Sequence, residues 1–367
     1  MTRTTPARPV DVEALFPGLA AHRRTSTRLH PRPGCPTAAD SSVAGPFLWP
    51  ADEPWPMCTA VHRKDTGHLL SDVRLERRIL AGARGRELSA GERRTLDGMT
   101  RGRHAPGTRD EDPVPLLAVA QLYARDVPDL RTPPGQDLLQ VLWCPFEVHG
   151  PERTIDVVLR WRRSDEVTEL LTDPPEPVVV GRAECVPDVC ALHPEQVVEY
   201  EYEGLLGTEL QEALTEWEES LADDEDEEEE DEGEDGSGGA AGYATYEEYE
   251  AAMAAARDEE PYEVDYRGDL SIPPGWKVGG FASWHLTDPA PVDCRECGAP
   301  MPPLLTVDAG EWGGGSESWI PVEDRARDGA AGVGRSARPT GVLLGRGLMR
   351  VHTCPAGPAH PHRLSFQ

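Results

Sequence analysis

Cys294-Arg-Glu-Cys297-Gly298 is the arrangement in this chain best suited to chemistry. A two-residue spacer lets two thiolates reach one tetrahedral zinc, and a glycine after the second cysteine accepts the turn in which backbone N–H groups point at sulfur. Cys354 offers a third sulfur. His360, in Cys354-Pro-Ala-Gly-Pro-Ala-His360, offers a fourth ligand, with His362 or water as substitutes. The expected site is therefore a structural zinc on Cys294, Cys297, Cys354 and His360; a reduced metal-free pair and a redox pair are the alternatives. The redox pair needs a helix starting at the motif to lower a thiol pKa, and Gly298-Ala-Pro-Met-Pro-Pro303 cannot continue one.

Other reactive side chains form weaker patterns. Cys58, His62, Cys144 and His149 lack a C-x-x-C and read either as a vestigial or weak metal site or as scattered side chains. Cys185, Cys190 and His193 read as a buried strand or turn leading into a short helix from Pro194. The chain has no phosphate loop, no H-E-x-x-H, no G-x-S-x-G elbow and no G-x-G-x-x-G after a strand. Gly313–Ser316 reads as a loop, and Glu323 with Asp324 as a solvated pair in a loop. A zinc hydrolase would need a general base, and only His285 and Glu296 are close to the knuckle in sequence.

The elements that must position these residues are interrupted often, since 36 Gly and 36 Pro occur among 367 residues. That content excludes a coiled coil, a helical array and collagen. No apolar run reaches the roughly 18 residues of a membrane span, and MTRTTPARPVDVEALFPG lacks a signal-peptide core, so a cytoplasmic protein without disulfides is expected. The net charge of −30 is local: residues 199–265 hold 28 Asp or Glu and one Arg, leaving 38 acidic and 35 basic residues elsewhere. A nearly neutral folded part gives no charge support for nucleic-acid binding.

The pattern predicts an α+β fold, mainly antiparallel β, built from an internally duplicated β-rich unit with short helices and a long disordered acidic linker. Residues 1–38 read as a mobile N-terminal segment with a short helix near Val12–Leu19. Residues 39–198 form a first unit carrying an Arg-rich insertion at 62–112, with LSDVRLERRIL helical; 199–270 is the acidic linker, with helices near 210–221 and 245–260; 271–367 is the second unit. Duplication rests on three matches in the same order: GPFLWP (45–50) with GGFASW (279–284), PLLAVAQL (115–122) with PLLTVDAG (303–310), and GQDLLQVLWCP (135–145) with GRGLMRVHTCP (345–355).

SSVAGPFLWPADEPWP, PLLAVAQLYARDVPDL, GQDLLQVLWCPFE and KVGGFASWHLTDP with CRECGAPMPPLLT resemble the YwqG-like family of bacterial proteins of unknown function. The resemblance covers most of the chain outside 1–38, the Arg-rich insertion and the acidic linker. It departs at His285, where the family often has Gln, and in the long acidic insertion. That family is distantly similar to programmed-cell-death-2-type ribosome-maturation proteins, which have a duplicated β-rich core and escort a ribosomal protein; some bacterial members are associated with toxin immunity. The resemblance implies a non-enzymatic protein-binding or chaperone-like module, with an immunity or antitoxin-type inhibitor as the alternative and a zinc hydrolase as a third reading. The expected partner is a protein client of basic character, met through Trp49, Trp55, Trp284 and Trp312 and attracted by the acidic tract.

Overall fold

Short apolar runs closed off by glycine and proline are buried on both faces here and become central strands; Leu138–Trp143 is buried at every position. The computed structural model describes residues 2–83, 86–99, 107–150, 153–229, 264–313, 315–325 and 337–367. Its strands are β1 (Arg23–Arg28), β2 (Arg32–Pro33), β3 (Ser42–Val43), β4 (Met57–Cys58), β5 (His68–Leu69), β6 (Val114–Pro115), β7 (Leu117–Tyr123) and β8 (Leu138–Trp143). They continue with β9 (Val157–Arg162), β10 (Val179–Val180), β11 (Cys190–Ala191), β12 (Glu195–Tyr200), β13 (Lys277–Gly279), β14 (Pro303–Asp308), β15 (Leu348–His352) and β16 (Arg363–Phe366). One six-stranded sheet runs β2-β11-β3-β7-β8-β9 and a second runs β12-β1-β13-β14-β15-β16, with every pairing antiparallel. The fold is α+β and mainly antiparallel, as the sequence predicts.

The duplication is visible in the strands. The meander β3-β7-β8-β9 matches β13-β14-β15-β16, and each copy has a register break at its second strand, between Ala118 and Ala120 and between Pro303 and Leu305. Inward-facing Val119, Val141 and Trp143 of one sheet share a core with Val278, Leu305, Met349 and Val351 of the other.

What joins the copies is a ribbon. β1 pairs with β12 from Arg23↔Tyr200 to Arg28↔Glu195, and the same register continues into β2 and β11 at Arg32↔Ala191 and Pro33↔Cys190. Between the two, the His193 N–H donates to the Leu29 carbonyl at 2.9 Å. Each strand of the ribbon therefore passes from one sheet into the other. β13 adds to β1 and β3 adds to β11.

This arrangement corrects three expectations. Residues 1–38 are not a mobile tail: β1 lies between β12 and β13, and Val12, Phe16 and Leu19 pack with Tyr200, Leu214 and Tyr266. Arg-Arg-Thr-Ser-Thr-Arg gives no apolar signal, yet Ser26, Thr27 and Arg28 are buried, and Thr25 and Thr27 donate to the Asp129 carboxylate at 2.6 and 2.8 Å. The units are not contiguous in sequence, since β12, from the 39–198 region, and β1 both belong to the second sheet. Pro194 is followed by a strand rather than a helix, because Val197, Val198 and Tyr200 suit a pleated surface and β1 supplies the partner.

α1 (Val12–Leu15) is a single turn capped by Asp11, whose carboxylate accepts from the Ala14 N–H. The Arg-rich insertion holds α2 (Leu70–Gly82) and α3 (Ala90–Met99); Arg77 docks α2 by donating to the Val186 and Ala183 carbonyls at 2.6 and 2.8 Å. α4 (Thr208–Glu229) packs Leu214 into the core, sets Trp217 edge-on to Phe16, and carries the start of the acidic tract as helix. Of the run 222–242 expected to be extended and disordered, 222–229 is instead the last part of α4, while 230–242 and the helix expected at 245–260 lie outside the described residues.

One buried ion pair spans the ribbon. Glu199 on β12 reaches past β1 to accept from Lys277 Nζ on β13 at 2.5 Å and from the Phe281 N–H. Burial pushes the Glu199 carboxyl up and the Lys277 amine down, so each charge depends on the other. Glu199→Ala leaves a buried ammonium without its counter-ion and is expected to destabilise the chain by about 3–5 kcal/mol. Urea unfolding reads this as a lowered midpoint; an unchanged midpoint would mean the pair contributes nothing.

Candidate metal centres

The knuckle turns as its glycine requires. Gly298 sits at φ 70, its N–H donates to the Cys294 carbonyl at 2.9 Å, and the Cys294 N–H donates to the Ala299 carbonyl at 2.9 Å. β15 then delivers Cys354, and the loop beyond it delivers His360. Cys297 Sγ is 3.5 Å from Cys354 Sγ, and His360 Nδ1 is 3.2 Å from Cys354 Sγ and 3.4 Å from Cys294 Sγ. All four sequence-predicted ligands converge, with their ligand atoms within 4.8 Å of one another. Cys294, Cys354 and Met301 form a small apolar cluster, while Cys297 stays exposed. His362 turns away, bonding to the Val157 backbone instead.

The electrostatics favour a thiolate. Desolvation works against ionisation of Cys294, but hydrogen bonds from the backbone N–H groups of Cys297 and Glu296 and the thiols of Cys354 and Cys297 outweigh it and bring Cys294 down to about 6. The thiols of Cys354 and Cys294 in turn raise His360.

Cys58, His62, Cys144 and His149 also come together, again within 4.8 Å. Cys58 is on β4, His62 follows it, Cys144 directly follows β8, and His149 lies in the next turn. Cys58 Sγ is 3.2 Å from His62 Nε2 and 3.9 Å from His149 Nε2, and Cys144 Sγ is 3.4 Å from His62 Nε2. Burial, with smaller contributions from His149 and Lys64, pushes His62 down to about 4; burial also pushes Cys144 up and His149 down. Each of the two Cys/His clusters is thus able to hold a metal ion.

No family model matches the chain, and no curated protein matches it.

Cys185 and Cys190 are not gathered with His193 as ligands. Both lie in the shared core, burial pushes both thiols up to about 12, and Cys190 Sγ donates to the Pro339 carbonyl at 3.3 Å. Glu323 and Asp324 are not a solvated pair. The Asp324 carboxylate is buried and accepts from Arg3 Nε at 2.9 Å and Arg32 Nη2 at 2.6 Å, while Glu323 accepts from the Thr4 N–H and hydroxyl, both at 2.8 Å. Glu311 completes this cluster, 3.3 Å from Arg32 Nη1 and 3.2 Å from His30 Nδ1. Desolvation opposes its charge, yet His30, Arg32 and Arg28 hold its carboxyl below the usual range. The sequence offers no signal for this grouping, because each residue stands alone in a polar stretch and only the ribbon brings them together.

Trp49, Trp55, Trp284 and Trp312, expected to meet a protein client, are buried. His285 is outside both clusters; its N–H donates to the Gln367 side chain.

Alkylation under native conditions in the metal-free chain should modify the exposed Cys35 and Cys297 first and Cys185 and Cys190 last. Peptide mapping after a short pulse of iodoacetamide reads the order, and zinc should remove Cys297, but not Cys35, from the fast group. Fast labelling of Cys185 would show that the shared core is open.

Proposed function

We propose that this chain is a non-enzymatic, cytoplasmic, chaperone-like protein-binding module of the YwqG-like kind, with zinc at Cys294, Cys297, Cys354 and His360 as a structural staple. The observation that carries the reading is the ligand set: four protein side chains fill a tetrahedron and leave no place for an activated water. Such a site stabilises a fold rather than hydrolysing a bond. His285, the imidazole nearest the Cys294–Cys297 knuckle in sequence, stands apart from the set, which further disfavours the zinc hydrolase. Support for the family reading comes from the duplicated meander and from the knuckle lying at the same step of the second copy as the sequence resemblance requires.

The client is a basic protein, as a ribosomal protein is. Residues 199–265 carry 28 acidic side chains against one Arg, and a charge of that density attracts a cationic partner at modest salt. With the tryptophans in the core, recognition falls to this acidic segment. The same charge suits an immunity-type inhibitor covering a basic toxin, which is the second reading; cross-linking to a secreted nuclease whose activity the chain blocks would favour it over a ribosomal client.

Two outcomes are expected. Cys297→Ser should lose zinc and loosen β13–β16 to hydrogen exchange while β3 and β7–β9 stay protected; retention of that zinc would refute the staple. Deleting residues 222–242 should weaken binding of poly-L-lysine by about tenfold or more at low salt, with the difference fading at high salt. The melting temperature should move by no more than about 3 °C, since solvated charge adds little core. Equal binding by both chains at low salt would remove the acidic segment from recognition.

A further inference from the structure

We propose that Cys58, His62, Cys144 and His149 hold a second zinc ion, so that each copy of the duplicated unit is stapled at the same place. The topology supplies the first argument. Cys58 lies in the β3–β7 connection as Cys294 and Cys297 lie in the β13–β14 connection. Cys144 and Cys354 occupy matching positions in GQDLLQVLWCP and GRGLMRVHTCP, and His149 and His360 follow them in the next loop. His62 stands where the knuckle has its second sulfur, with the spacing lengthened by one residue.

Geometry supplies the second. Zinc–sulfur bonds of about 2.3 Å and zinc–nitrogen bonds of about 2.0–2.1 Å make a tetrahedron with edges of roughly 3.4–3.8 Å. The sulfur–nitrogen separations of 3.2, 3.4 and 3.9 Å bracket the sulfur–nitrogen edge of about 3.6 Å. A thiol–imidazole hydrogen bond accounts for one close pair; it does not gather four ligand atoms within 4.8 Å of one another. The His62 ring presents Nε2 to both sulfurs and is held there by stacking on Phe146, with centroids 4.4 Å apart and planes at 9°.

Charge explains why the two donor sets differ. Binding zinc to this cluster releases two thiol protons and leaves a site of zero net charge, which a buried position tolerates. The Cys294 set has three sulfurs and becomes an anion, which suits its exposed Cys297 and the backbone N–H groups that its turn directs at Cys294. The buried copy uses the neutral donor set and the exposed copy the charged one.

The second zinc would also fasten the Arg-rich insertion. Cys58 pairs with Val114 across β4 and β6, and the His62 N–H donates to the Asp110 carbonyl at 3.1 Å, so the cluster sits where the insertion leaves and rejoins the sheet.

Zinc content of the full-length chain, purified without chelator, is the first measurement. About two zinc ions per chain are expected. Cys297→Ser should keep one, and cobalt loaded into that variant should show thiolate-to-metal absorption of two sulfurs rather than three. His149→Gln, at a partly exposed ligand, should lose the other zinc and keep the cobalt signature of the three-sulfur site, with faster amide exchange in α2 and β4. One zinc per chain that disappears in Cys297→Ser overturns the proposal, as does a cooperatively melting Cys297→Ser chain that binds no zinc or cobalt. Two zinc ions that both survive Cys297→Ser would instead count against the staple at the knuckle, which separates the two claims.

Discussion

The ribbon of residues 23–33 against 190–200 is the constraint from which the rest follows. Each meander has an open edge at its first strand, β3 or β13, and an unpaired edge leaves backbone donors and acceptors exposed. The ribbon closes both, because β11 covers β3 and β1 covers β13. Since one side of the ribbon precedes the first unit and the other closes it, neither sheet is complete until the chain from 33 to 190 has folded back. Two copies that began as separate units in the duplicated pattern are thereby interlocked, and the shared core between the sheets is a consequence.

Polar burial in the second sheet follows from the same crossing. Arg28 on the central β1 is buried and donates to the Thr5 hydroxyl at 2.8 Å and the Trp319 carbonyl at 3.1 Å, and the segments beside it bring in further charges that carboxylates match. Glu199 answers Lys277, Asp129 answers Thr25 and Thr27, and Asp324 and Glu311 answer Arg3, Arg32 and His30. Arg8 adds a tie of another kind, donating to the Leu270 and Val198 carbonyls with its guanidinium over the Tyr200 and Trp319 rings. In the first sheet the buried polar groups of the central strands are Gln121 and Gln140: the Gln140 amide donates to the Gln121 side-chain carbonyl at 2.8 Å, the Gln121 amide donates to the Ala38 carbonyl at 2.9 Å, and the Gln140 side-chain oxygen accepts from Arg162 Nε at 2.7 Å.

What was legible in the sequence was what is local. The knuckle is legible because Cys294, Cys297 and Gly298 form their turn within a few residues, and β7, β8, β14 and β15 because short apolar runs between breakers have few other uses. The repeat carried Cys354 to its place. β1 was not legible: its residues alternate no apolar side chains, and its place is set by β12 and β13, each far away in sequence. The buried role of Asp324 was hidden for the same reason. Cys58, His62, Cys144 and His149 fall between these cases; the residues were visible, but with no C-x-x-C their meeting depends on β4 pairing β6 and on the turn after β8.

The acidic segment has its described ends anchored in one cluster. α4 enters the tract with Leu214 and Trp217 packed beside α1, and the chain returns at Tyr266, whose ring is buried in the same cluster and whose N–H donates to the Glu218 carboxylate at 2.8 Å. Departure and return therefore lie side by side, and burial raises the Glu218 carboxyl despite that bond. With the Debye length near 8 Å at physiological ionic strength, exposed charges act on a partner only at close range. The described ends of the acidic segment, α4 and the Tyr266 turn, are thus held in one cluster with α1, where Val12, Phe16 and Leu19 pack with Leu214 and Tyr266.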